Sequence, residues 1–139
     1  MIIGVDVDDV LANFTGALIP HLNEVYGTTR AYEEIHSMRL ERVWKVHPEN
    51  IKGHIHSFIS SEAKTLRPYI EAFWPLVSLK NTGHEAHVVT SRPSFIKDDT
   101  INWVEKHFGG IFAKCHVTNQ YGEGVRTTKP ELCVTFSPH

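Results

Sequence analysis

Apolar and polar positions follow two different periods along the chain. Residues 2 to 7, IIGVDV, are short, β-branched and apolar up to their carboxylates, which predicts a strand buried on both faces. Leu11, Phe14, Leu18, Leu22 and Val25 then recur at steps of three and four. That stripe predicts a helix ending near Gly27, with Pro20 kinking or dividing it. Residues 31 to 61 read as mostly helical and polar, with Ile35, Met38, Val43, Ile51, Ile55, Phe58 and Ile59 on the buried side. Another helix is expected from 69 to about 80, disturbed at Pro75 and stopped by Gly83. Residues 87 to 90 form a second strand, and Ser91, Arg92 and Pro93 turn away from its end. DDTINWVEKHFGG predicts a helix with Ile101, Val104 and Phe108 inward and Gly109 and Gly110 as its stop. Residues 111 to 118 are a third strand, 119 to 128 a loop, and KPELCVTFSPH closes the chain.

Strands alternating with helices predict an α/β domain built on a mostly parallel sheet. At 139 residues there is room for one such domain, and no internal repeat or low-complexity stretch interrupts it. A 41% apolar, 22% charged composition is that of a globular chain, and a net charge of −2 gives no electrostatic case for nucleic acid or an anionic membrane. No apolar run approaches the roughly 18 residues of a membrane span, and the start is a strand rather than a leader. Cys115 and Cys133 form no metal or redox motif and read as buried thiols. The expected setting is the reducing cytoplasm. Ten histidines are scattered, and only His54 and His56 lie close together, too little convergence for a metal.

Ligands of open parallel sheets bind beyond the carboxyl ends of the strands. Asp6 and Asp8 end the first strand; Thr90 and Ser91 end the second. Positions i and i+2 of an extended chain face one side, so Asp6 and Asp8 can address one substrate atom if the strand reaches that far. Close carboxylates suit a nucleophile beside a proton donor, or a divalent-metal site. The plainer alternative is that Asp8 and Asp9 cap the following helix at its positive end.

IIGVDVDDVLANF resembles the first motif of the haloacid dehalogenase (HAD) superfamily of phosphohydrolases, and HVVTSRP resembles its second. INWVEKHFGG and the segment between the motifs are similar to the 5′(3′)-deoxyribonucleotidase branch, along the chain to about Cys133. The resemblance implies a HAD-like Rossmannoid three-layer fold with a small helical cap inserted at about 15–65. It implies Asp6 as the nucleophile that becomes an aspartyl-phosphate, and Asp8 as the acid and then the base. Thr90 would hold a phosphoryl oxygen, and Lys129, in RTTKPELC, would neutralise charge. Mg²⁺ would sit on the Asp6 carboxylate, the Asp8 backbone carbonyl and phosphate. Phe14 corresponds to a substrate-binding aromatic, although a place on its helix's core stripe explains it as well. Ser91 and Arg92 are secondary phosphate contacts in this reading. The substrate would be a small phosphomonoester such as a (deoxy)nucleoside monophosphate. Trp44 and Phe58 could stack a base, but core packing accounts for them more simply.

The family's fourth motif, an acidic pair that completes the metal site, has no counterpart here. Ten residues follow Lys129 and the last aspartate is Asp99, whereas another helix and strand need about 16 residues. Glu123 and Glu131 are the nearest acids, and neither has the expected context. The expected metal site is therefore weak and the sheet short at its C-terminal side. That would leave the first strand as an edge, covered either by LCVTF at 132 to 136 or by a second protomer. Two readings stay open: a phosphohydrolase, or an inactive relative with a binding or regulatory role.

Overall fold

A computed structural model describes residues 1–37, 39–119, 128 and 129. Three parallel strands, β1 (Ile2–Val5), β2 (Glu85–Thr90) and β3 (Phe112–Val117), stand in the order β1-β2-β3. Val5 lies opposite Val88, and Val88 opposite Cys115. Parallel neighbours need helical crossovers. Helices α1 (Phe14–Tyr26), α2 (Leu40–Trp44), α3 (Pro48–Glu62) and α4 (Phe73–Asn81) separate β1 from β2, and α5 (Lys97–Phe108) separates β2 from β3.

Burial on both faces of β1 is not observed. Ile2 and Gly4 are exposed and Ile3 and Val5 half-buried, because β2 is the one neighbour β1 has among the described residues. β2, paired on both sides, is buried from Ala86 to Thr90.

Local chemistry explains the helix ends. The Asn13 side chain accepts from Gly16 N at 3.1 Å to open α1, and Gly27 closes it at φ +63°. Pro20 does not divide α1, whose turns are held by burial of Leu18, Ile19 and Leu22. Leu11 lies in the preceding turn rather than on the helix, yet is fully buried; Val25 faces solvent. Pro75 leaves α4 unbroken because it falls in the first turn, where its missing N–H had no partner to lose. In α5, Thr100, Trp103, Val104 and Phe108 turn inward and Ile101 is 36% exposed. The stripe is thus rotated toward Trp103, whose indole buries more area than an isoleucine and whose Nε1 donates to Leu66 O at 2.9 Å.

One continuous core joins Leu18, Leu22, Trp44, Ile51 and Phe58 of the inserted helices to Leu76, Val88, Trp103 and Phe108 around the sheet. Ile35, Val43, Ile55 and Ile59 pack partly buried against it, and Met38 lies outside the described residues. The chain's two passages between sheet and inserted helices run side by side. Asn13 N donates to Arg67 O at 2.9 Å, and Tyr69 N to Leu11 O at 2.7 Å. Cys115 is half-buried, and burial pushes its thiol up; Cys133 lies outside the described residues. No helix among the described residues is long and apolar enough to cross a membrane.

Candidate active site

The strand of β1 ends at Val5, so the turn that follows, rather than pleat alternation, positions the acids. Leu11 N and Ala12 N both donate to Val7 O, at 2.8 and 2.9 Å, and Asp9 N donates to Ala12 O at 2.8 Å. Asp9 sits at its apex with φ +61°, a conformation short polar side chains tolerate.

The three acids of this turn do three different things. Asp9 accepts from Thr15 N at 2.8 Å and from the Thr15 hydroxyl, so it caps α1. Asp8 takes no part in capping. It meets the Arg92 guanidinium two-fold: Nη2 donates to Oδ1 at 2.8 Å, and Nε is shared between Oδ2 at 3.1 Å and Oδ1 at 3.3 Å. Asp6 Oδ1 accepts from Val7 N at 2.8 Å, and Oδ2 pairs with Lys129 Nζ. An Asp9→Ala variant should therefore lose about 1 kcal/mol of stability through its cap, read in a urea titration, while Asp9→Asn should be milder.

Strand β2 supplies the opposite side of this rim. Thr90 is buried, accepts from Arg92 N at 3.2 Å through its hydroxyl, and is tied to the next strand by Thr118 N on its carbonyl at 2.9 Å. Arg92 itself is 3% exposed. Its third arm, Nη1, donates to the Thr100 hydroxyl at 3.1 Å, so its guanidinium is directed at Asp8 and α5. Asn119, at φ +56° beyond β3, accepts from Ser94 N at 2.8 Å and anchors the turn after Pro93. Ser91 stands beside this network, half-buried.

Phe14 packs edge-on against Phe58 with ring centroids 5.7 Å apart, and Trp44 is buried with its Nε1 donating to Thr28 Oγ1 at 3.0 Å. All three aromatics are packed among apolar neighbours. A cavity of about 310 Å³ lies between the start of α1 (Asn13, Gly16, Ala17) and the passage out of α3 (Glu62, Thr65, Arg67). Tyr69 OH donates to Asn13 Oδ1 at 3.1 Å; burial, and next the charge of Asp9, hold its phenol above the ordinary range.

Thr100, Asn119 and Asn13 carry no motif. Asn13 alone had a signal, as a preferred capping type before an apolar stripe. The contacts of Thr100 with Arg92 and of Asn119 with Ser94 join separate segments and leave no local pattern.

Magnesium prefers near-octahedral oxygen geometry and gives up water reluctantly. Among the described residues no three His, Cys, Asp or Glu side chains converge, and both acids of the rim are engaged by cations. Among the described residues the donors are fewer than a resident Mg²⁺ site takes. His54 and His56 also diverge, to Tyr26 and Phe95 respectively. A calorimetric titration with MgCl₂ should show binding weaker than about 1 mM. Tight stoichiometric binding would mean that Glu123, Glu131 or a second protomer supplies the remaining ligands.

No curated protein sequence matches the chain. A solved structure described as "putative beta-phosphoglucomutase from Thermotoga maritima" is similar at a TM-score of 0.51 and 16% identity, over 93% of this chain and 64% of that one. The chain thus spans less than two thirds of that protein's length, and the likeness is one of fold: HAD-like, with a parallel sheet and helices. The model of the family 5′ nucleotidase, deoxy (pyrimidine), cytosolic type C protein matches residues 1–127. With that match running along nearly the whole chain, the protein belongs to this nucleotidase family.

Proposed function

We propose that this protein is a phosphohydrolase that cleaves a (deoxy)nucleoside monophosphate through an aspartyl-phosphate. The observation that carries the reading is a pair of acids at the carboxyl end of a parallel sheet, each with its own cation: Asp6 with Lys129 and Asp8 with Arg92. In the first step, with Asp8 protonated, an Asp6 oxygen attacks phosphorus and the ester P–O bond breaks; its electron pair leaves with the alkoxide, which takes the Asp8 proton and leaves Asp8 ionised. In the second, Asp8 takes a proton from water as that oxygen attacks phosphorus. The acyl-phosphate bond then returns its electrons to Asp6 and phosphate leaves. Lys129 offsets charge at Asp6, and Thr90 and Ser91 orient phosphoryl oxygens in this reading. The inserted helices α1 to α3, about 15–65, act as the cap, and the family's cytosolic description makes the cytoplasm the proposed setting.

A phosphatase assay across nucleoside and sugar monophosphates tests this. Turnover of nucleoside monophosphates supports it; binding without turnover would favour the inactive-relative reading. Self-association through β1 is a further expectation, because Ile2 is 38% exposed on a strand paired on one side among the described residues. Light scattering at micromolar concentration should show a dimer; a strict monomer would count against it.

A further inference from the structure

Arg92 and Thr100 form a chain of hydrogen bonds whose direction is set from one end. Thr100, on α5, is completely buried, and its hydroxyl donates to Ile96 O at 2.8 Å in its own preceding turn. With its one hydrogen so used, the hydroxyl can only accept, and it accepts from Arg92 Nη1 at 3.1 Å. The planar guanidinium is thereby oriented, and its other edge meets Asp8. A buried arginine anchored from behind is a fixed fork rather than a mobile surface cation.

We propose that Thr100 and Arg92 are positioning residues that hold the Asp8 carboxyl group in a fixed orientation for proton transfer. Nη2 donates to Oδ1 at 2.8 Å and the single Nε hydrogen is divided between Oδ2 at 3.1 Å and Oδ1 at 3.3 Å, so the fork fixes the plane of the carboxyl group and leaves it lone-pair room for a proton. The assignment rests on the phosphohydrolase reading above and adds the residue pair that aims its acid. It also gives Arg92 a task different from phosphate contact.

The test compares kcat/KM on two esters, because this constant reports the steps up to departure of the leaving group. A nucleoside 5′-monophosphate releases an alkoxide that needs a proton; p-nitrophenyl phosphate releases a phenolate that does not. Thr100→Val keeps the side-chain shape and removes the acceptor. It should lower kcat/KM for the nucleotide by about tenfold to a hundredfold, the scale on which a misplaced catalytic group is felt. The loss on p-nitrophenyl phosphate should stay within about threefold, since proton delivery is not needed there. Thr100→Ser, which retains the hydroxyl, should restore nucleotide hydrolysis. Arg92→Lys, which keeps the charge and loses the fork, should show the same split and carries the test if Thr100→Val does not fold. Equal losses on both esters, or no loss in either variant, would overturn the positioning role while leaving the phosphohydrolase reading intact. A wild type inactive on both esters would overturn the two together.

Discussion

Replacing Asp6 by asparagine is expected to lower turnover by a factor on the order of 10⁴ or more, the range found when a nucleophile is removed. An amide oxygen cannot form the acyl-phosphate, so the first step has no acceptor for the phosphoryl group. The fold should survive. Asparagine can still accept from Val7 N through its amide oxygen, replacing the 2.8 Å bond of Asp6 Oδ1. The lost ion pair with Lys129 joins side chains that are 35% and 33% exposed, where such pairs contribute about 0–1 kcal/mol. Steady-state hydrolysis of a nucleoside monophosphate, with thermal denaturation alongside, measures both quantities. A folded Asp6→Asn protein with wild-type turnover would remove Asp6 from the mechanism.

Phe108→Ala should destabilise the protein by about 3–5 kcal/mol, the usual cost of deleting a buried phenyl group. Phe108 is 1% exposed and packs against Trp103 at 6.0 Å and Phe112 at 6.4 Å between ring centroids. It therefore joins the end of α5 to the start of β3 within the shared core. Against the typical 5–15 kcal/mol of a single domain, that loss would bring the chain near its unfolding threshold. Urea denaturation should show a lower midpoint with an unchanged slope. A shift below about 1 kcal/mol would mean that this corner of the core can collapse into the space.

Where a pattern is local, the residues disclosed it. The stripe of Leu18 and Leu22 follows from a period of 3.6, the stop at Gly27 from one left-handed glycine, and β2 from its short continuous apolar run. Asp6, Asp8 and Thr90 could be singled out because strand ends of a parallel sheet converge on one rim, whereas Lys129 was implied only by the family resemblance. The inward rotation of α5 could not be foreseen: Ile101 and Trp103 both fit a helical stripe, and the choice depended on which face met Leu66 and the sheet.

The acids of VDVDD show the same division most clearly. Spacing showed that charge gathers behind the first strand and left a helix cap and a paired site open as alternatives. Only the folded chain decided which partner each acid meets. Asp9 reaches Thr15, six residues away, and its capping needs nothing but the turn. Asp8 reaches Arg92, 84 positions along, and Asp6 reaches Lys129, 123 positions along. A carboxylate's partner across such a separation is chosen by how the strands and α5 pack, because Coulomb attraction and hydrogen bonding act over ångströms in space and leave no period in sequence.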